Sequence, residues 1–199
     1  MTKYKVLIDG YAKETDSGWL ATSTTTLIED GGRRIIVDPG INKKLLLEKL
    51  KDESFSTKDI DMVFMTHYHP DHILLVSLFE NATFHDGSTI YENDLETEFD
   101  GNIPGTDIKV IATPGHAHEH ASLVFESEEG TVVIAADVFW WMTNEEQVTD
   151  NYDLLMNKKD PFTKDLDALI SSRKKVLEIA DVIIPGHGKV FVNKFKGKK

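Results

Sequence analysis

The sequence predicts an α+β fold in which helices cover a β sandwich, in preference to a doubly wound parallel sheet. Three observations point there. Strand-like segments and hairpin turns dominate two successive halves of the chain. The helical patterns fall between or after those strands instead of alternating strictly with them. The 199 residues, 40 % apolar and 28 % charged, have the balance of an ordinary globular domain. That length suits one domain over residues 1–199 with a sizeable core.

Each element has its own warrant. Residues 4–9 read as a strand. Residues 22–29 and 33–37 read as a hairpin whose turn is Asp30-Gly31-Gly32, and Asp38-Pro39-Gly40 stops the second strand. Asn42 is placed to cap a helix that runs through Leu45, Leu46, Leu47 and Leu50. Residues 61–66 form a short apolar run that fits a buried strand, and residues 73–80 read as a short helix. Alternation returns at 82–85 and 108–113. Residues 122–126 and 131–136 flank Glu128-Glu129-Gly130 as a second hairpin. Residues 140–161 are irregular and acidic, the pattern of a long loop with a helical turn. Residues 165–179 carry the clearest amphipathic pattern, with Leu166, Leu169, Ile170, Val176, Leu177 and Ile179 apolar. Residues 182–184 are a last buried strand, and the basic ending at 194–199 reads as a solvated terminus.

Composition narrows the chemistry. There are no cysteines, which excludes disulfides, thiolate metal sites, iron–sulfur clusters and thiol nucleophiles. Any metal must sit on His, Asp or Glu. The net charge of −12 weighs against a nucleic-acid partner, because polyanion binders usually need a basic face. No apolar run approaches the ~20 residues needed to span a bilayer. The opening residues lack the apolar core of a secretion signal, so no membrane and a cytoplasmic location are expected.

The strongest signal is His67-x-His69-x-Asp71-His72, four metal-competent groups within six residues just after an apolar strand. Neutral imidazole and carboxylate are what zinc, iron(II) and manganese accept when no thiolate is present. Packing four such groups together without a cation is costly, because each buried polar group needs a partner. Further candidates stand at the ends of strand-like runs. His116 follows Thr113-Pro114-Gly115, Asp137 follows Ala135-Ala136, and His187 follows Pro185-Gly186. A rigid scaffold holds functional groups at such strand exits.

On these segments, Thr66 to His72, Thr113-Pro114-Gly115-His116, Ala136-Asp137 and Pro185-Gly186-His187-Gly188, the chain resembles the metallo-β-lactamase fold superfamily of hydrolases. The segments fall in the family's order. The resemblance spans residues 6–190 and implies an αββα four-layer sandwich with two divalent metal ions at one edge, most simply Zn²⁺, with Fe or Mn as alternatives. Carried over by position, His67, His69 and His116 hold one metal. Asp71, His72 and His187 hold the other, and Asp137 bridges them. A flavodiiron-type site does not fit, since that branch has a carboxylate in place of the second histidine of the cluster. Asp38 resembles a family element that supports the site from behind its ligands, and His120 reads as a group that orients a ligand or touches substrate. His118 departs from the commonest pattern and reads as a pocket group, a metal-tuning neighbour or simply an exposed residue, and His85 as structural. Tyr68, Trp140 and Trp141 are candidates for the substrate pocket.

Two divalent cations ~3.5–4 Å apart share one water and lower its pKa toward neutrality, and Asp71 is the candidate to manage that water's proton. The expected activity is hydrolysis of an ester, lactone, thioester or phosphoester of a small molecule. One alternative is a compact nuclease, suggested by the family-like opening Asp9-Gly10-Tyr11-Ala12. Another is a mononuclear iron persulfide dioxygenase of the same fold. The chain ends soon after His187, without the basic helical region of the glyoxalase II enzymes, which weighs against glutathione thioesters. The resemblance also implies a homodimer as one expected assembly.

Overall fold

The computed structural model describes residues 1–197. The first half lays down β1 (Lys3–Ile8), β2 (Tyr11–Thr15), β3 (Gly18–Thr22), β4 (Thr25–Asp30), β5 (Arg33–Val37), α1 (Lys43–Asp52), β6 (Met62–Phe64), α2 (Pro70–Ile73), β7 (Thr83–His85), β8 (Thr89–Glu92) and β9 (Leu95–Glu98). The second half adds β10 (Lys109–Ala112), β11 (Ala121–Ser127), β12 (Gly130–Trp140), α3 (Tyr152–Met156), α4 (Leu166–Ile179), β13 (Val182–His187) and β14 (Phe191–Val192). One sheet runs β1-β4-β5-β6-β7-β8-β9 and the other β10-β11-β12-β13-β14, while β2 and β3 pair only with each other.

Side-chain alternation explains the layering. Successive residues of a strand point to opposite faces. Ile28, Ile35, Val37, Met62 and Phe64 of the first sheet therefore meet Leu123, Phe125, Val132, Ile134 and Ile184 of the second. On the outer face of the first sheet, Leu27, Ile36 and Val63 meet Leu46 and Leu50 of α1. On the outer face of the second, Val133, Ala135 and Ile183 meet Leu155 of α3 and Val176 and Leu177 of α4. Helix, sheet, sheet and helix stack as the expected αββα sandwich. Both faces of the central strands are buried, which is why they read as continuous apolar runs.

Caps and turns follow the sequence at several ends. Asn42 accepts from Leu45 N to cap α1, and Asp165 accepts from Ala168 N to cap α4. Elsewhere the structure differs from the expectation. Residues 73–80 do not form a helix. The helical turn begins earlier, at Pro70, whose fixed φ suits a first helical position, and a separate 3-10 turn follows at Val76–Leu78. β12 continues past Ala136 to Trp140, and its parallel register with β13 slips on either side of Ala136. The first strand of the first hairpin starts at Thr25, because residues 18–22 belong to the separate β2–β3 ribbon. Among the described residues no helix is long and apolar enough to cross a membrane. In the basic ending, Lys196 pairs with Asp181 at 2.6 Å, and residues 198–199 lie outside the described residues.

Candidate metal centre

The edge where strands exit from both sheets gathers every histidine of the expected ligand set. β6 delivers His67, with Thr66 as its hinge. Thr66 N donates to Asp38 Oδ1 at 2.9 Å, and Thr66 Oγ1 donates to Asp38 Oδ2 at 2.7 Å. Because that hydroxyl spends its proton on Asp38, it accepts from His67 Nδ1 at 3.0 Å, which leaves His67 Nε2 as the lone-pair nitrogen. His72, in the first turn of α2, donates from Nδ1 to the same Asp38 Oδ2 at 2.8 Å. His116 donates from Nδ1 to Asp160 Oδ2 at 2.7 Å. Each of the three imidazoles is thus oriented by an oxygen behind it, the arrangement that fixes tautomer and basicity in histidine–metal sites.

The forward-facing atoms converge on Asp137. Its Oδ2 lies 3.1 Å from His116 Nε2 and 3.8 Å from His67 Nε2. Its Oδ1 lies 3.4 Å from His72 Nε2 and 3.8 Å from His187 Nε2. His187 Nε2 is also 3.3 Å from Asp71 Oδ2, and His69 Nδ1 is 3.0 Å from His116 Nε2. The donor atoms form two groups, His67, His69, His116 and Asp137 in one and Asp71, His72 and His187 in the other, with the atoms of each within 4.8 Å of one another. His67 Nε2, His72 Nε2 and Asp137 Oδ1 are buried with no hydrogen-bond partner among the described residues. A buried polar atom without a partner is costly. These atoms aim their lone pairs at common points, so the residues present fit divalent cations.

Backbone geometry is committed to the same end. Ala136 adopts φ 42°, a left-handed conformation that costs on the order of 1 kcal/mol for a residue with a Cβ and turns Asp137 into the site. Gly186 lies so close that a Cβ there would sit 1.7 Å from Asp137 Oδ1. Gly115, at φ 135°, lets the His116 loop rest on α4, where a Cβ would meet Leu169 N at 2.3 Å. Beside the ligands, Thr24 N donates to Gly186 O at 2.7 Å and stitches the two halves together, while within the first half Ser23 N donates to Asp71 O at 2.9 Å.

Electrostatics divide the imidazoles. Burial pushes His67 well below its usual pKa, and neighbouring His72 adds to the shift. Burial opposes a charge on His72 as well, but Asp137 and Asp38 outweigh it and raise it well above its usual value. His116 goes up to about 9 against its burial, through Asp137 and Asp160. Burial would raise Asp137, yet His72, His116 and His187 hold its carboxyl well below the usual range. The cluster therefore demands positive charge around one ionised carboxylate, a demand that cations meet.

The remaining expected residues fall in distinct places. His120 lies behind the ligands. Its ring stacks on His67 with centroids 5.1 Å apart, it bonds Thr113 Oγ1 at 2.9 Å, and burial takes its pKa down to about 3. Trp140 lines a cleft of about 420 Å³ that opens onto the site. Trp141 does not, because it faces the core and packs with Phe139 and Phe191. Tyr68 is not among the lining residues either, since its hydroxyl donates to Asp86, which also accepts from Tyr91. His118 is exposed and outside the cleft lining.

Other residues of the site were not anticipated. Asp160 sits in a stretch read only as irregular. Trp19 and Ala21 from β3, Ala12 from β2, Ile41 and Phe162 wall the cleft beside His69, Asp71, His116, Asp137 and His187. Trp19 and Phe162 meet edge to face at 5.8 Å, and Phe162 reaches Trp140 at 5.8 Å.

The fold carries candidate His/Asp ligand groups for a metal at the edge of its sandwich, and the chain belongs to the metallo-beta-lactamase superfamily. The family model of that superfamily matches residues 19–94. Metallo-beta-lactamase domain-containing protein 1 of Xenopus laevis is 31% identical over 197 residues, covering 94% of this chain and 79% of that protein. A protein of Thermotoga maritima, described as a candidate metallo-beta-lactamase, has a similar structure with TM-score 0.69 and 24% identity, covering 96% of this chain and 99% of that one. The dizinc quorum-quenching lactonase AidC shares the fold with TM-score 0.59 and 16% identity, covering 85% of this chain and 74% of its own.

Proposed function

We propose that the chain is a binuclear metal-dependent hydrolase acting on a carboxylic ester, lactone or thioester of a small, partly apolar molecule. The observation that carries this reading is the cleft. It sets both ligand groups at the foot of walls made by Ala12, Trp19, Ala21, Ile41, Trp140 and Phe162, with no Lys or Arg among the lining residues. Such walls suit an uncharged acyl or aryl portion.

His67, His69 and His116 would hold one cation, Asp71, His72 and His187 the other, and Asp137 would face both. Zn²⁺ suits this thiolate-free donor set, as do Fe and Mn. When bound, the two cations supply an acidified water and polarise the bond under attack. The protein's own groups do the rest. Asp38, through Thr66 and directly, fixes the rings of His67 and His72. Asp160 fixes His116. Asp71 lines the cleft and is partly exposed, so its free oxygen is placed to take a proton from attacking water and return it to the leaving oxygen. The aromatic walls orient the substrate and exclude bulk water.

A phosphodiester would bring anionic oxygens into a cleft lined by no lysine or arginine, on a chain of net charge −12, which disfavours the nuclease reading. The second ligand group disfavours a mononuclear iron dioxygenase. The test is metal content of the purified protein followed by a panel of lactones, thioesters, aryl esters, phosphodiesters and persulfides. We expect about two cations per chain and turnover of the carbonyl substrates, abolished in His67→Ala and Asp137→Ala. Turnover of phosphodiesters alone, or oxygen consumption with persulfides, would overturn the reading. An Asp71→Asn protein with both cations and full turnover would remove Asp71 from its role.

A further inference from the structure

The loop that carries Asp160 is held from behind by a buried cation. Arg173, in the middle of α4, is 1 % exposed and among the largest fully buried side chains. Its hydrogen bonds end on main-chain carbonyls. Nε donates to Val138 O at 3.1 Å, and Nη1 donates to Met156 O at 3.1 Å and Lys158 O at 2.7 Å. Burying a guanidinium carries a desolvation penalty of several kcal/mol, which an apolar side chain of similar volume would avoid. An apolar side chain could not hold three carbonyls, and the rigid fork of donors is what Arg brings.

Where those carbonyls lie gives the residue its meaning. Val138 directly follows Asp137, the carboxylate both ligand groups face. Met156 and Lys158 lead into Asp160, which accepts from His116 Nδ1 with one oxygen and from Phe162 N with the other. One guanidinium therefore joins the strand of the shared carboxylate to the loop that orients His116. The rest of α4 presses on the same ligand, because Ser172 Oγ donates to Pro114 O at 2.7 Å and Gly115 rests on Leu169. The other ligand group draws its support from Asp38, in the first half of the chain, away from α4.

We infer that Arg173 is a positioning residue for the His67, His69 and His116 group, fixing residues 156–160 against β12 so that Asp160 meets His116 in one geometry. This rests on the two-cation reading for its ligand sets but not on any substrate. The consequence is selectivity. Loss of Arg173 loosens one cation and spares the other.

Co²⁺ titration of the metal-free full chain tests it, followed by visible absorption and by competition with a chromophoric chelator, with circular dichroism to verify the fold. In Arg173→Met, one Co²⁺ equivalent is expected to bind about 10–100-fold more weakly with an altered spectrum, while the other stays within about twofold. Asp160→Asn should weaken the same equivalent, and the double variant should be no weaker than Asp160→Asn alone. Arg173→Lys, which keeps the charge without the fork, should fall between wild type and Arg173→Met. Two unchanged equivalents, two weakened together, or an additive double variant would overturn the inference. Should Arg173→Met not fold, Arg173→Lys carries the test, and an unweakened Arg173→Lys overturns it. A wild-type chain that takes up a single Co²⁺ defeats the two-cation reading, and an unweakened single equivalent in the Arg173 variants then defeats this inference separately.

Discussion

The two ligand groups share one carboxylate but are braced by opposite strategies. Behind His72, and through Thr66 behind His67, stands Asp38, a residue on the loop directly after β5 whose oxygens also accept from the Thr66 amide and hydroxyl. Behind His116 stands Asp160, on the loop between α3 and α4, anchored at a distance by Arg173. The first brace is local and reaches a ligand of each group. The second is remote and serves one ligand. One side is thus held by a residue next to it and the other through a loop, and that loop also borders Phe162 and the aromatic wall.

The comparison breaks hardest at the residue both sides share. Asp137→Ala should release both cations and lower turnover by more than about 10³-fold, measured by metal analysis and steady-state kinetics. Gly186→Ala should mimic it, because the added Cβ would fall 1.7 Å from Asp137 Oδ1. Its overpacking should also lower stability by about 1–3 kcal/mol in denaturant unfolding. Next in size, Asp38→Asn should weaken both Co²⁺ equivalents by about 10–100-fold, whereas Asp160→Asn should weaken one. Equal patterns in the two variants would erase the distinction between the braces.

A smaller effect separates structural from ligating histidines. His85 is buried on β7, bonded to Thr83 Oγ1 at 2.9 Å, and its pKa falls to about 4, chiefly through burial and then through Arg33. Between the usual value of 6.5 and about 4 the unfolded chain binds a proton that the folded chain refuses. This histidine's contribution to stability is thus complete above pH 6.5 and is lost as pH falls toward 4. Urea unfolding of wild type and His85→Gln at pH 7 and pH 5 should show a shallower acid loss in the variant. The smallest effect lies at the cleft mouth. Trp19→Ala or Phe162→Ala should raise KM for apolar acyl substrates several-fold, consistent with about 1 kcal/mol of aromatic contact, and leave Tm nearly unchanged because both rings are half-exposed.

The difference between the braces also marks what the sequence made readable. The ligand cluster at residues 67–72 is dense and directly follows an apolar strand, so its meaning is local. Asp38 is readable because it ends a hairpin strand. Asp160 is not, because its position depends on carbonyls captured by a side chain of α4 and on no periodicity of its own. The sandwich was legible from apolar runs and the two hairpins. The β2–β3 ribbon and β8–β9 are not legible because these strands are short, exposed or half-buried, and show no sustained apolar alternation, although Asp16-Ser17-Gly18 and Asn93-Asp94 mark their turns. Trp140 and Trp141 could not be told apart in the sequence: β12 ends at Trp140, whose ring lines the cleft, and Trp141 directly after it packs into the core.

The ribbon's isolation has a consequence of its own. Since β2 and β3 hydrogen-bond as strands only to one another, residues could be added or removed at their tip without shifting the register of either large sheet. Trp19 and Ala21 would move with them, reshaping the entrance while the histidines and aspartates at the floor of the cleft stayed still. Such a detachable eave gives a lineage a way to explore new substrates without re-engineering the frame beneath.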